Sequence, residues 1–224
     1  MEGADGPMGS GPQPEIVLGS RTANAIAASL DQYGAIGLLD LSAAMQGKLA
    51  GAVYRSTAPD GSWGNAFPDR GNLVKVNGKD HVLMTNSGPD GGAVLVDLAA
   101  REVVRRWDVP HGLEKPVFLP SAKIAVATPA GKLKQRGRGR TYVPGSAVYV
   151  FALDGPPAEA PVSAIKFNKK VFYAAAVAPG TSPLVALAVG DNQPDTIVIL
   201  DPVAKRPLAR QKAHGTIQRL ESAL

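Results

Sequence analysis

Five cations crowd into nine residues of this sequence: Lys132, Lys134, Arg136, Arg138 and Arg140 in the run KLKQRGRGR. A run of this kind attracts anions, whether RNA, a phospholipid headgroup or an acidic protein surface. Only Tyr142 lies close by, so base stacking has little support. The bland alternative is a solvated charge run. The three histidines, His81, His111 and His214, could ligate a metal or move a proton, yet no two share a helical or short-loop ligand spacing. No Gly-x-Ser-x-Gly elbow marks a serine nucleophile, and no Gly-x4-Gly-Lys-Ser/Thr loop marks a phosphate cradle. Cysteine is absent, which removes thiolate zinc, iron–sulfur and cysteine-nucleophile chemistry. The expectation is no catalytic residue, no metal and no cofactor. Residues 132–140 interrupt the third repeat unit between its second and third strands, so they are expected to form an exposed, flexible loop, and they are left as the candidate binding segment for an anion or a partner.

The aspartates behave differently. Asp40, Asp97, Asp154 and Asp201 are separated by 57, 57 and 47 residues, and each closes a similar apolar run. Those runs are AIGLLDL at 35–41, AVLVDL at 93–98, AVYVFALD at 147–154 and TIVILDP at 196–202. Each is preceded by another β-rich run: AIAAS (25–29), HVLMT (81–85), KIAVA (123–127) and LVALAV (184–189). Each is followed by a polar turn and a further short run. Such spacing assigns the aspartates to turns rather than to a shared site.

Composition agrees with many turns. Glycine (25) and proline (19) make up about a fifth of the 224 residues, against a usual ~12%. Apolar residues are 45% and charged residues 19%, ordinary for a packed core. The net charge is +5, and it is uneven: the first 60 residues hold three bases and six acids, so the remainder carries the positive charge. Residues 1–14 are Gly/Pro-rich with few apolar groups and are expected to be a disordered tail. No apolar run reaches the roughly 18 residues of a membrane span, and the N-terminus lacks a basic, apolar leader. The expected setting is intracellular and cytoplasmic, with the nucleus as the alternative.

A recurrence of about 50 residues made of four short strands predicts a propeller blade. One small meander cannot cover both of its faces, so neighbouring meanders stack and share a core. The expected fold is therefore all-β: a β-propeller of about four four-stranded blades over 15–224. Blades are expected near 20–56, 70–110, 115–167 and 170–213, with residues 214–224 opening a fifth in an incomplete ring. A β-sandwich is the competing architecture, and the Ala-rich stretch 23–52 leaves a helical alternative.

The second unit resembles a degenerate WD repeat. Asp90-Gly-Gly-Ala-Val-Leu-Val-Asp97 fits the Asp-Gly…Trp-Asp frame with Val96 in the Trp position, and His111-Gly112 follows. The fourth unit ends alike, at Asp201 and then His214-Gly215; the two histidines lie 14 and 13 residues after their aspartates. The resemblance makes Asp90, Asp97, His111, Asp201 and His214 structural repeat positions. The literal pair Trp107-Asp108 falls on the next strand and carries no motif. The stretch from Val82 to Leu98 is also similar to Tyr-Val-Thr-Asn and lactonase propellers. A WD-type propeller implies a non-catalytic scaffold for other proteins. The alternatives are an enzyme of the lactonase or Tyr-Val-Thr-Asn type, or phosphoinositide or RNA binding through 132–140. Seven-bladed rings need more chain than four units provide, so a fragment, or a ring completed by another chain, is expected.

Overall fold

Strands alternate with short turns through the described residues, because β-branched and apolar residues recur there between Gly, Asn and Asp. The computed structural model describes residues 17–30, 35–48, 53–56, 70–86, 92–109, 112–130, 132–136, 139–143, 145–155, 163–177 and 182–221. The expected tail at 1–14 lies outside them.

Four antiparallel meanders result. Sheet one holds β1 (Val17–Ser20), β2 (Ala25–Leu30), β3 (Ala35–Asp40) and β4 (Val53–Ser56). A single helical turn, α1 (Leu41–Met45), leads from β3 towards β4. Among the described residues of the Ala-rich stretch 23–52 it is the only helical turn; β2 and β3 take up most of the others. Sheet two holds β5 (Arg70–Val76), β6 (Lys79–Thr85), β7 (Ala93–Asp97) and β8 (Glu102–Trp107). Sheet three orders β9 (Val117–Leu119), β10 (Ile124–Ala127), β13 (Ala147–Ala152) and β14 (Ser163–Lys166). Between β10 and β13 the chain makes a separate two-stranded hairpin, β11 (Lys132–Arg136) with β12 (Gly139–Val143). Sheet four holds β15 (Lys170–Ala176), β16 (Val185–Gly190), β17 (Thr196–Asp201) and β18 (Arg206–Lys212).

The sheets stack face to face, and strand parity decides which neighbour each side chain meets. On β6, Val82 and Met84 join Ala25, Ala27, Ile36 and Leu38 of sheet one, whereas Leu83 joins Phe151 and Ala125 of sheet three. On β13, Tyr149 and Phe151 face sheet two; Val148 and Val150 face Leu187, Val198 and Leu200 of sheet four. Three apolar cores therefore bind four sheets in series. The first strands β1, β5, β9 and β15 approach one another in turn, which puts them on the inside of the arc. This is an open propeller ring of four blades, and the sandwich alternative falls with it.

Two expectations change. The basic run is not a plain loop: it pairs as β11–β12, from Lys132↔Val143 to Arg136↔Gly139. Thr141, Tyr142 and Val143 favour strand, and only Gly137 and Arg138 remain to make the connection. Asp154 lies two residues beyond β13, whereas Asp40, Asp97 and Asp201 each end a third strand. Residues 214–221, the described part of the segment expected to open a fifth blade, have no strand pairing among the described residues. Two backbone bonds, Ala213 N–H to Asp195 O (2.7 Å) and Ile217 N–H to Pro194 O (2.8 Å), hold this segment to sheet four instead.

Candidate functional site

The repeated aspartates organise the turns that form the rims. Asp97 Oδ1 accepts from the Ala99 and Ala100 amides, both at 2.9 Å. Asp201 Oδ1 accepts from Val203 (3.0 Å) and Ala204 (2.9 Å) in the same manner. Each turn closes on a left-handed residue, Arg101 (φ 61°) and Lys205 (φ 55°). A short carboxylate that bonds the backbone two and three residues on holds this geometry without glycine. Asp40 instead caps α1 through the Ala43 amide at 2.9 Å and also accepts from Asn24. The Ala43 amide, aided by Arg101, holds the Asp40 carboxyl below the usual carboxylate range.

Charged groups also bridge the blades. Arg101 Nη2 reaches Asp40 Oδ2 at 2.7 Å, linking sheets two and one. Asp80 accepts from Lys75 Nζ at 2.6 Å and from the Ser20 hydroxyl of sheet one. Those two bonds, Lys75 first, keep the Asp80 carboxyl below its ordinary range.

Between sheets two and three lies a cleft of about 250 Å³, lined by His81, Asp97, Arg105, Asp154 and Gly155 among others. Its polar groups are unusually buried: His81 and Asp97 are each 6% exposed and Arg105 9%. His81 and Asp97 sit opposite each other on β6 and β7. His81 Nδ1 is 3.1 Å from the Lys79 carbonyl, an acceptor, so Nδ1 carries the proton. Nε2 then faces Asp97 Oδ2 at 3.7 Å, beyond hydrogen-bond length. Arg105 crosses the junction and donates to the carbonyls of Ala152 (3.0 Å), Asp154 (3.2 Å) and Gly155 (2.6 Å). Its guanidinium lies 5.8 Å from the Trp107 ring centroid, and Trp107 meets Phe151 edge-on at 5.3 Å. The buried Trp107 Nε1 has no hydrogen-bond partner among the described residues.

A larger cleft of about 780 Å³ opens on the inside of the arc. Asn72 and Leu73 of β5, Val117 of β9 and Phe172 and Tyr173 of β15 line it, and Gln218–Glu221 return to its edge. Among the described residues, no three His, Asp or Glu groups gather to hold a metal.

The residues singled out from sequence are dispersed. Asp97 and Asp201 hold equivalent turns in sheets two and four. His214 follows β18 and is exposed. Asp90, His111 and Arg138 lie outside the described residues. Lys132, Lys134 and Arg136 take alternate positions of β11, and Arg140 pairs with Gln135 from β12. Of the repeat aspartates, Asp97 and Asp154 line the His81–Arg105 cleft. Arg105 was missed in sequence, and His81 was weighed only for ligand spacing, although it shares strand parity with the buried Leu83 and Thr85.

No protein-family model matches the sequence, and no curated protein matches it. Solved structures do match in fold. The Swd1 (Cps50) β-propeller domain of Myceliophteria thermophila aligns with a TM-score of 0.56 at 14% identity, covering 89% of this chain and 59% of that one. The Pan2 WD40 domain of Neurospora crassa gives 0.57 at 13% identity, covering 89% and 52%. The dihydro-heme d1 dehydrogenase NirN gives 0.60 at 12% identity, covering 88% and 37%. This chain thus spans from 37% to 59% of the length of these structures. The fold is that of a β-propeller, and the likeness in fold covers both WD40 domains and a dehydrogenase. No helix of the described residues is long and apolar enough to cross a membrane.

Proposed function

We propose that this chain is a non-catalytic, WD-repeat-like propeller that binds other proteins and scaffolds an assembly. The observation that carries the reading is the series of three apolar cores binding four sheets, with rims built on aspartate-held turns. Such a body presents several loops at fixed separations, which suits recognition of a folded partner. The likeness to the Swd1 and Pan2 WD40 domains supports the same reading. The buried His81, Asp97 and Arg105 fit a structural role better than turnover. Arg105 spends its donors on three backbone carbonyls, and Asp97 Oδ1 is committed to two amides.

The test is crosslinking in cells at native abundance, followed by purification and quantitative mass spectrometry. One or more proteins recovered in fixed stoichiometry is the expected result. A chain that recovers no protein and instead turns over a small molecule, with loss of turnover in His81→Ala, overturns the proposal.

A further inference from the structure

We infer that the outer edge of β18 is a docking strand for an extended segment of a partner protein carrying carboxylates at alternate positions. The inference rests on the protein-binding reading and names one surface for it. β18 closes sheet four and, among the described residues, pairs on one side only, with β17. The Ala213 amide donates to the Asp195 carbonyl, so the Ala213 N–H points towards β17, while the Asp195 amide turns back to the Val189 carbonyl. Counting back along the register by the two-residue alternation of a strand, Gln211 and Ala209, opposite Ile197 and Ile199, direct their backbone groups at β17 as well. Arg210 and Lys212, opposite Val198 and Thr196, are the intervening pairs, and their backbone N–H and C=O groups point away from β17. Gln211 Nε2 donates to the Lys212 carbonyl at 3.1 Å. That leaves the Lys212 N–H and both backbone groups of Arg210 directed at an incoming strand.

The side chains agree with the backbone. All seven residues of β18 are exposed, whereas β8 buries Arg105 and Trp107 and β14 buries Ile165. For Arg210 and Lys212 this exposure does not come from the open end of the ring, which accounts for Ala209 and Gln211 on the other face. Arg210 and Lys212 share the strand face of Val198, which packs towards sheet three, and they are exposed with that sheet in place. Residues 202–212 carry Lys205, Arg206, Arg210 and Lys212 and no acid, and the carboxyl acted on by Lys212 is that of Asp195, at the head of β17. Cations along an edge repel a second copy of the same edge. They also favour an oppositely charged strand, whose residues opposite Arg210 and Lys212 fall two apart on one face. Strand addition of this type draws affinity from the main chain and selectivity from alternate side chains.

The test titrates the whole chain with a fluorescein-labelled octapeptide of alternating Glu and Val, read by anisotropy, beside one of alternating Lys and Val. Saturable binding of the Glu peptide alone is expected. Arg210→Glu with Lys212→Glu should weaken it at least about tenfold while the melting temperature holds, since both side chains are exposed. Arg210→Pro removes an outward N–H and spares the bonds to β17, so it should weaken binding as well. Amide exchange at Arg210 and Lys212 should slow on saturation. Equal binding of both peptides, undiminished binding in the charge-reversed variant, or unchanged exchange at the two amides overturns the inference. So does binding of poly(U) or phosphatidylserine vesicles that the reversal abolishes but Arg210→Pro leaves intact, because charge alone would then explain the edge. If the charge-reversed chain keeps every crosslinked partner, the edge is discarded and the scaffold reading stands; a wild-type chain without partners removes the scaffold reading itself.

Discussion

Between sheets two and three, Trp107, Tyr149 and Phe151 fill the core, and Arg105 spans the junction to three carbonyls. Between sheets one and two, the core is Ala25, Ala27, Ile36 and Leu38 against Val82, Met84, Val94 and Val96, and charges tie the rim. The same four-stranded repeat is thus fastened in two ways. Aromatic volume and a buried guanidinium depend little on solvent conditions. Small side chains with carboxylate ties at the rim depend on pH and salt. The lesson is that equivalent junctions of one fold need not fail together.

Truncating the aromatic core should produce the largest effect. Phe151→Ala removes a fully buried ring that contacts Trp107, and should cost about 3–5 kcal/mol by urea unfolding. A cost below about 1 kcal/mol would show that sheets two and three are not held by this core. Arg105→Ala comes next, at about 2–3 kcal/mol, because three charge-assisted bonds across the junction disappear. Arg105→Lys should recover only part of this, since one ammonium cannot reproduce the fork. Full recovery by lysine would mean that charge, not geometry, closes the junction.

Acid should separate the two junctions. Asp80 is held below its ordinary value of 3.8 by Lys75 and then Ser20. A carboxylate depressed in the folded state stabilises fully above its unfolded value, and that contribution fades as pH falls through the lower folded value. Asp40, depressed chiefly by the Ala43 amide, acts in the same direction. Protection from amide exchange, taken relative to the unfolded chain at the same pH, should therefore fall at Ala27 of sheet one before Phe151 of sheet three as pH is lowered from about 5 to 3. Simultaneous loss would erase the contrast. The smallest effect is that of Arg101→Gln, which opens the half-exposed pair with Asp40. Its modest fall in melting temperature should vanish in about 1 M salt, where surface charges are screened. A fall that persists in salt would make the contact one of packing.

Much of the fold was legible because it is written at short range. Asn77-Gly78 turns β5 into β6 with φ of 50° and 80°, as a two-residue hairpin of mirror-image type requires. Alternation such as that of Val82, Leu83 and Met84, buried on both faces, marks a strand between two neighbours. The candidate site was much less legible, because its members meet only through stacking. Nothing local tells Arg105 that Ala152 to Gly155 lie opposite, and His81 finds Asp97 through register. The basic run was misjudged for a related reason. Charge density argued for a loop, while Thr141 to Val143 supplied strand propensity and a partner in β11. Histidine spacing gave His214 a repeat position, yet it stands exposed after β18 while His81, which lacked a motif, is buried.

The hairpin β11–β12 also bears on the order in which the chain assembles. In sheet three, β10 must find β13 across the 19 residues 128–146, the longest gap between paired neighbours in sheets two to four. Closing such a gap costs entropy that grows with its length. A hairpin with a two-residue connection zips in microseconds, well before distant strands meet. Once Lys132 and Val143 are paired, only residues 128–131 and 144–146 remain to be closed. Logarithmic loop scaling makes that shortening worth about 1 kcal/mol in the closure step. An insertion that lengthens the chain thus shortens the search by which the third blade completes itself.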